Sequence, residues 1–426
     1  MKVLVLGSGA REHAIVWALS GGSEIEALWA GPGNAGTAAL GENLPVSASD
    51  IDQLLEVAKS EAIGLTVVGP EAPLVDGIAD RFREAGLAIV GPSAAAARLE
   101  GSKVFTKHFL SRHGIPTAEF DVFQEPDKAE AELRSGRFQY PLVVKADGLA
   151  AGKGVFVCQT EEEALKATEV TMRQRQFGSS GDQVIIEEFL QGEEASFMVF
   201  TDGKTIVPMV PSQDHKAIYE GDKGPNTGGM GAYSMEGLLP DDLQASILSD
   251  VIRPTVEAMA AEGAPFSGIL YAGLMLTQEG PKVLEYNVRF GDPETQAVLP
   301  RMESDLLDIF QALASGNLEN QTAVWSRDAA VCVVVAAGGY PGSYAKGKEI
   351  SGISMAEEDP HTVVFHAGTK MKGNTVTTSG GRVLGVTSLS PTLDSAIMKT
   401  YEAVNKIHFD EMYYRKDIAS KGLRRT

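Results

Sequence analysis

Val283-Leu-Glu-Tyr-Asn-Val-Arg-Phe-Gly-Asp-Pro-Glu294 is the stretch around which this 426-residue chain is organised. Turn residues Glu279-Gly-Pro281 precede it, and Val283–Val288 is rich in β-formers, which predicts a strand. Alternate side chains of a strand share a face, so Glu285, Asn287 and Arg289 point the same way. A carboxylate and an amide oxygen are hard donors suited to Mg²⁺. An arginine beside them can hold a phosphate or carboxylate through two parallel hydrogen bonds. Gly291-Asp-Pro-Glu294 then turns the chain and adds two acids. Taken alone, the stretch reads equally as a half-exposed strand with a solvated ion pair. Its neighbours in function must decide.

Composition narrows the classes. Hydrophobic residues make up 43% and charged residues 22%, as in ordinary globular proteins, and the length allows two to four domains. The formal net charge is -20 and the sequence pI about 4.8. No broad basic surface is available to neutralise nucleic-acid phosphates or an anionic membrane, so neither is an expected partner. Small phosphorylated substrates, which need few local donors, remain open. Cys158 and Cys332 both sit in apolar runs and are expected to be reduced core residues. The run Val3–Leu6 is too short for a signal peptide, and the longest apolar run, Ala329–Ala337, is too short to span a bilayer. The expectation is a cytoplasmic protein, with a monomer favoured.

From the N-terminus to about Leu99, short apolar runs (Val3–Leu6, Leu28–Ala30, Leu65–Val68, Ala88–Val90) alternate with helical patterns (His13–Leu19, Ile51–Ser60, Val75–Ala85). Repeated βα units predict a parallel sheet that binds ligands at the carboxyl ends of its strands. Gly7-Ser-Gly9, Gly31-Pro-Gly-Asn-Ala-Gly36 and Gly69-Pro-Glu71 fall at those ends. The first begins like a dinucleotide fingerprint, but Glu12 stands at the third glycine position, which weakens a dehydrogenase reading.

Strand Tyr140–Lys145 leads into Ala146-Asp-Gly-Leu-Ala-Ala-Gly-Lys-Gly154 and then strand Val155–Cys158. This is no Walker A loop, since Gly148 to Gly152-Lys153 is one residue short and Gly154 replaces the hydroxyl residue. A glycine-rich flap between two strands suits a lid over nucleotide phosphates; an ordinary hairpin is the alternative. Val184–Leu190 reads as a strand ending in acids, able to form a hinge against adenosine or simply a polar strand end. Segments 211–216 and 224–233 are polar, glycine-dense and without period, as binding loops are. Leu239–Glu262 reads helical with an interruption at Pro254, followed by strands at Phe266–Leu276 and Lys282–Val288 and a helix at Leu306–Ala314. Beyond Trp325, strands are predicted at Ala329–Ala337, Thr362–His366, Thr375–Thr378 and Val383–Leu389, and a helix at Thr392–Val404. No separate catalytic constellation is visible there; a small α+β domain closing the back of the site is expected.

Joined together, these stretches resemble the phosphoribosylamine–glycine ligase family of the ATP-grasp superfamily. The resemblance runs from Gly7-Ser-Gly-Ala-Arg-Glu-His13, Gly31–Thr37 and Val68-Gly-Pro-Glu-Ala-Pro-Leu74, through Lys145–Gly154, Ile186-Glu-Glu-Phe-Leu190, Gln213-Asp-His-Lys216 and Gly224–Tyr233. It ends with Arg289-Phe-Gly-Asp-Pro-Glu-Thr295 and Phe365-His-Ala-Gly-Thr369. It implies a multidomain α/β and α+β fold: an N-terminal parallel, Rossmann-like substrate domain (1–102), an ATP-grasp core (103–324, lid about 124–190) and a small C-terminal α+β domain (325–426). It implies ATP and Mg²⁺ or Mn²⁺ as cofactors, with glycine and 5-phosphoribosylamine as substrates.

By the same resemblance Glu285 and Asn287 hold the metal. Lys103, Lys145, Gly148, Gly152, Lys153 and Gly154 hold the ATP phosphates, and Glu187, Leu190 and Glu194 serve the adenosine. Arg289, Lys145, Asp214 and Lys216 are implied at the reacting groups. Gly9, Asn34, Gly36, Thr37, Pro70, Glu71, Asp214, Gly229 and Met230 are implied around the substrates. The strand before Glu285 carries no acid over Tyr271–Met275, which leaves the number of metal ions open. The rival readings are an ATP-grasp ligase for another carboxylate and a noncatalytic nucleotide sensor.

Overall fold

A computed structural model of the chain describes residues 1–149 and 154–424. Strands β1 (Lys2–Gly7), β2 (Ala27–Pro32), β3 (Glu42–Asn43), β4 (Leu65–Val68) and β5 (Ile89–Val90) form a parallel sheet in the order β3-β2-β1-β4-β5. β1 alternates its apolar side chains between two cores. Leu4 and Leu6 pack with Leu54, Ile78 and Phe82 on one face. Val3 and Val5 pack with Ile15, Val16 and Phe310 on the other. A parallel sheet covered on both faces needs this apolar run. Helix α1 (Ala10–Ser20) follows β1 directly.

Strands β6 (Phe120–Phe123), β7 (Leu142–Ala146), β8 (Val155–Cys158) and β9 (Val184–Glu188) make an antiparallel sheet in the order β6-β9-β7-β8. Its apolar face is closed by the helices Pro126–Leu133 and Glu161–Thr168. A second antiparallel sheet has the order β11-β10-β16-β17, from β10 (Glu193–Thr201), β11 (Ile206–Pro208), β16 (Gly268–Thr277) and β17 (Gly280–Asn287). The sequence reading holds no strand at β10, whose acidic start hides a fully buried run from Ala195 to Thr201. Pro254 interrupts its helix as expected: Asp241–Ile247 passes through a wide turn at Leu248–Ile252 into Arg253–Ala261.

The segment read as irregular contains short strands: β12 (Gln213–Asp214), β13 (Ala217–Tyr219), β14 (Lys223–Asn226) and β15 (Gly231–Ser234). β13 and β14 pair with each other, whereas β12 and β15 join a sheet built on distant chain. β15 lies on β18 (Ala329–Ala337), and the last sheet runs β12-β15-β18-β22-β19, with β19 (Thr362–His366), β22 (Arg382–Ser390), and β23 (Met412–Tyr413) also on β18. β18 is buried along its whole length, which explains its unbroken apolar run. Between β19 and β22 a hairpin projects, β20 (Thr369–Lys372) with β21 (Thr375–Thr378). Cys158 and Cys332 are both free and buried. No helix among the described residues is long and apolar enough to cross a membrane.

Candidate active site

β17 alternates as its sequence predicts. Tyr286, Val288 and Phe290 are buried, while Glu285, Asn287 and Arg289 lie half-buried on the other side. β16 contributes Gly273 opposite Glu285, and a Cβ there would stand 3.2 Å from the Glu285 Cγ. The glycine therefore makes room for the carboxylate. Between Gly273 and Leu274 the register slips by one residue, and the carbonyl of Leu284 accepts from Lys145 Nζ at 3.3 Å.

Lys145, on β7, also lies 2.5 Å from Glu187 Oε1, and Lys107 lies 2.5 Å from Glu187 Oε2. Glu187 is 1% exposed, so both its oxygens serve lysines below the site. The side chain, expected against the adenosine, is enclosed here between two ammonium groups and positions them. Burial would raise its carboxyl, but Lys145 and Lys107 hold it below the usual range. Burial brings Lys107 down to about 8.

Leu190 joins Ala118, Met275 and Leu284 in a small apolar cluster at the seam of the two sheets. Lys103 begins the helix Lys103–Arg112 and donates to the Gly148 carbonyl at 2.9 Å. Asp147 fixes the loop's entrance by accepting from Ser102 Oγ (3.0 Å), Val104 N (3.1 Å) and Gly148 N (2.8 Å). The Gly154 carbonyl, at its exit, accepts from Ala146 N at 2.8 Å. Gly152 and Lys153 lie outside the described residues.

On the opposite side Lys216 Nζ sits 2.7 Å from Glu194 and 3.9 Å from Glu285. Glu194, expected to serve the adenosine, is ion-paired to Lys216 here. Burial would raise Glu285, but Lys216, Lys103, Lys145 and Arg289 together hold it ionised below the usual range. Asp214, beside Lys216, is pushed up to about 7 by burial, against the pull of Lys216. Glu294 accepts from Tyr271 at 2.6 Å and from Ser196 at 3.2 Å. Lys107, Tyr271 and Ser196 escaped the sequence reading because no local pattern sets them apart within their elements.

Arg289 is fully engaged. Its guanidinium lies 2.7 Å from Glu100 and 3.3 Å from Glu71, and it also donates to the Phe290 carbonyl. It ties the N-terminal loop after Pro70 to β17, instead of presenting a free fork to substrate. Burial would lift Glu71, but Arg289 and Arg11 hold it below its usual range. Burial raises Glu100 above its own.

The N-terminal loops meet the C-terminal region in a cleft of about 480 Å³ whose walls include Ser8, Gly9, Gly33, Asp292, Thr369, Lys370 and Arg382. Asn34, Gly36 and Thr37 stand behind it, contrary to expectation. The Asn34 amide donates to Ser8, Gly9 and His366 carbonyls and accepts from Gly36 N and Thr37 N. Thr37 is 1% exposed, and a Cβ on Gly36 would lie 2.2 Å from the His13 ring. These residues shape the loop from within. Met230 is also buried, against Ile218 and Ala336. Gly229 has φ +105° and packs against Pro293, so it fixes the backbone beside the cleft.

The donor set fits a nucleotide and a hard cation. Several cations converge on one ionised carboxylate beside an apolar seam, as a polyphosphate and a base require. No three His, Cys, Asp or Glu among the described residues form a metal site by themselves. An ion held by Glu285 and Asn287 would complete its shell with water and phosphate oxygens, the habit of Mg²⁺.

Three family models match in series: phosphoribosylglycinamide synthetase N domain over residues 1–100, ATP-grasp (A) domain over 101–295 and C domain over 330–421. The chain belongs to the phosphoribosylglycinamide synthetase family. It is 49% identical over 428 residues to the phosphoribosylamine–glycine ligase of Vibrio cholerae, covering 100% of this chain and 99% of the relative. It is 50% identical over 430 residues to the enzyme of that name from Escherichia coli K12, with the same coverage. The crystal structure of the Thermotoga maritima phosphoribosylamine–glycine ligase superposes with a TM-score of 0.85 at 34% identity, covering 98% of this chain and 100% of that one. N5-carboxyaminoimidazole ribonucleotide synthetase from the same organism, at 17% identity and TM-score 0.64, shares the fold; the alignment covers 96% of this chain and 99% of that one.

Proposed function

We propose that this chain is an ATP-dependent carboxylate–amine ligase of de novo purine biosynthesis. It joins glycine to 5-phosphoribosylamine and yields glycinamide ribonucleotide, ADP and phosphate. The observation that carries the reading is the gathering of lysines about Glu285: Lys216 lies 3.9 Å from it, Lys145 donates to the carbonyl of Leu284 beside it, and Lys103 donates to the carbonyl of Gly148. Full-length identity near 50% to proteins named for this reaction supports the choice of substrates.

A carboxylate is a poor electrophile until its oxygen carries a leaving group. Phosphorylating glycine gives a glycyl phosphate. The amine of phosphoribosylamine then attacks the carbonyl carbon, the C–O bond to phosphate breaks, and the nitrogen loses a proton. Phosphoryl transfer of this kind needs positioning and charge neutralisation more than covalent catalysis. Lys103 and Lys145 neutralise the polyphosphate, with Glu187 anchoring Lys145 from below. Leu190 and its apolar neighbours receive the base. Glu285 and Asn287 would hold Mg²⁺, or Mn²⁺ in its place, which would supply charge neutralisation at the phosphoryl oxygens. Lys216, braced by Glu194, meets the glycine carboxylate, and Asp214 accepts from its ammonium group. Exclusion of water from the acyl phosphate falls, in this reading, to the glycine-rich lid of the family resemblance, of which residues 150–153 lie outside the described ones. The same reading takes the working form to be a cytoplasmic monomer, in keeping with two unpaired, buried cysteines and a net charge of -20.

The test is ADP formation with Mg²⁺-ATP, omitting glycine or phosphoribosylamine in turn, the latter generated in situ because it is labile. ADP that requires both, with the ribonucleotide as product, supports the reading. Folded protein that forms no ADP under any combination overturns it.

A further inference from the structure

The cleft between the N-terminal loops and the C-terminal hairpin carries three charged side chains: Asp292, Lys370 and Arg382. Two of them satisfy each other. Arg382 lies 3.2 Å from the Asp292 carboxylate and donates to the backbone carbonyls of Gly228, Gly229 and Asp292. Its charge is spent on holding the loop Gly228–Gly229 against Asp292. Lys370 differs. It is exposed on β20, lines the cleft, and has no carboxylate partner among the described residues. An uncompensated ammonium facing a concave, hydroxyl-bearing wall is a site for an anion, and it stands out on a chain of net charge -20. Ser8, Thr369 and Ser379 supply the hydroxyls.

The cleft is joined to the chemistry by the chain itself. Asp292 lines it, and two residues on Glu294 bonds Tyr271 and Ser196 beside Asp214. A molecule with an anion at one end and a nucleophile at the other could span that step.

We propose that Lys370 is a specificity-determining residue that grips the phosphate monoester of the ribosylamine substrate, leaving the Asp292 side of the cleft to the sugar. The inference rests on the ligase reading for the identity of the sugar phosphate. The motif Phe365-His-Ala-Gly-Thr369 gains a purpose from it. His366 Nδ1 pairs with Thr369 Oγ1 at 3.0 Å, and Thr369 N donates to the Ala367 carbonyl. Together they set the start of the strand on which Lys370 stands.

The experiment compares wild type, Lys370→Ala, Lys370→Arg and, as a control outside the cleft on the same strand, Lys372→Ala. Initial rates of ADP formation give KM for each substrate. Lys370→Ala raises KM for phosphoribosylamine about 10- to 100-fold, the range expected for losing one charged hydrogen bond. KM for ATP and glycine stays within about twofold, and Lys370→Arg recovers most of the loss. In parallel, calorimetry with ribose 5-phosphate and with ribose measures the phosphate contact without turnover. Wild type prefers the phosphate ester, and Lys370→Ala loses that preference. An unchanged KM for phosphoribosylamine, or an equal rise for all three substrates, overturns the proposal. If wild type forms no ADP with the full substrate set, the ligase reading fails, and the ribose 5-phosphate comparison still decides the role of Lys370.

Discussion

Glu187 and Glu285 are both acids surrounded by lysines, yet their surroundings ask different things of them. Glu187 has its two oxygens 2.5 Å from Lys145 and Lys107, and its side chain is 2% exposed. Neutralising one partner of a buried ion pair strands the others, a loss of about 3–5 kcal/mol. Glu187→Gln is therefore expected to lower the unfolding free energy by about that amount, and nucleotide binding with it. Glu285 makes only a 3.9 Å contact with Lys216 and is far less enclosed, with 39% of its side chain exposed. Glu285→Gln is expected to keep the fold and its thermal midpoint nearly unchanged while turnover drops about 100-fold through the metal site. Circular dichroism melts and steady-state rates on both variants check the contrast. Near-normal turnover in Glu285→Gln would remove it from the metal site. The sequence showed Glu285 because a strand period and two hard donors can be read locally. The Lys107–Glu187 pair could not be read, since Lys107 lies 80 residues upstream in a helix that gives no sign of it.

At the scale of elements, α1 and β19 meet through two buried histidines. His13 Nδ1 accepts from His366 N at 2.8 Å, and their rings lie 5.5 Å apart. Burial lowers His13 to about 3, helped by His366, and burial lowers His366 to about 4. Above pH 6.5 both groups are neutral whether folded or unfolded, so their contribution to stability is complete there. Below 6.5 the unfolded chain takes up protons that the folded one refuses, and stability falls until the folded values are reached. For His13 alone the loss by pH 5 is about 2 kcal/mol. The substitution His13→Asn keeps an acceptor for the His366 amide and cannot titrate, so it flattens this limb. Unfolding followed by the fluorescence of Trp17, whose ring lies 5.7 Å from Phe365, reports the interface directly at pH 7 and pH 5. Equal acid sensitivity in wild type and variant would locate the effect elsewhere. Elements with a long, regular apolar signal were legible in the sequence, β1, β17 and β18 above all. β12 to β15 were not. They have two to four residues each; β15 and β12 add on because β18, about a hundred residues on, offers an edge, and β13 and β14 pair with each other.

At the scale of the molecule, the C-terminal region does more than back the site, because it holds the strand that carries Asp214 and the hairpin that follows Lys216. β18 pairs with β15, which pairs with β12. Arg415, 1% exposed, donates to the Ala217 carbonyl at 3.0 Å and joins Asp222 to Asp417. Tyr413 donates to the Ile218 carbonyl at 3.0 Å. The hairpin directly after Lys216 is thus clamped from a region some 200 residues later, while Lys103, Lys107, Lys145 and Glu187 belong to elements outside this clamp. The two halves of the site should respond separately. Arg415→Met leaves Asp417 without its cation, while Asp222 keeps Lys421, at a cost of about 3 kcal/mol, and loosens Lys216. Turnover is expected to fall about tenfold or more, since small misplacements of positioning groups are expensive. Affinity for a nonhydrolysable ATP analogue should stay within about twofold, because the lysines that would meet the phosphates keep their own supports. Adding Asp417→Asn removes the stranded charge, so stability returns while turnover stays low. Recovery of turnover together with stability would mean that the clamp supports the fold alone. A parallel loss of analogue affinity would mean that the two halves of the site move as one body.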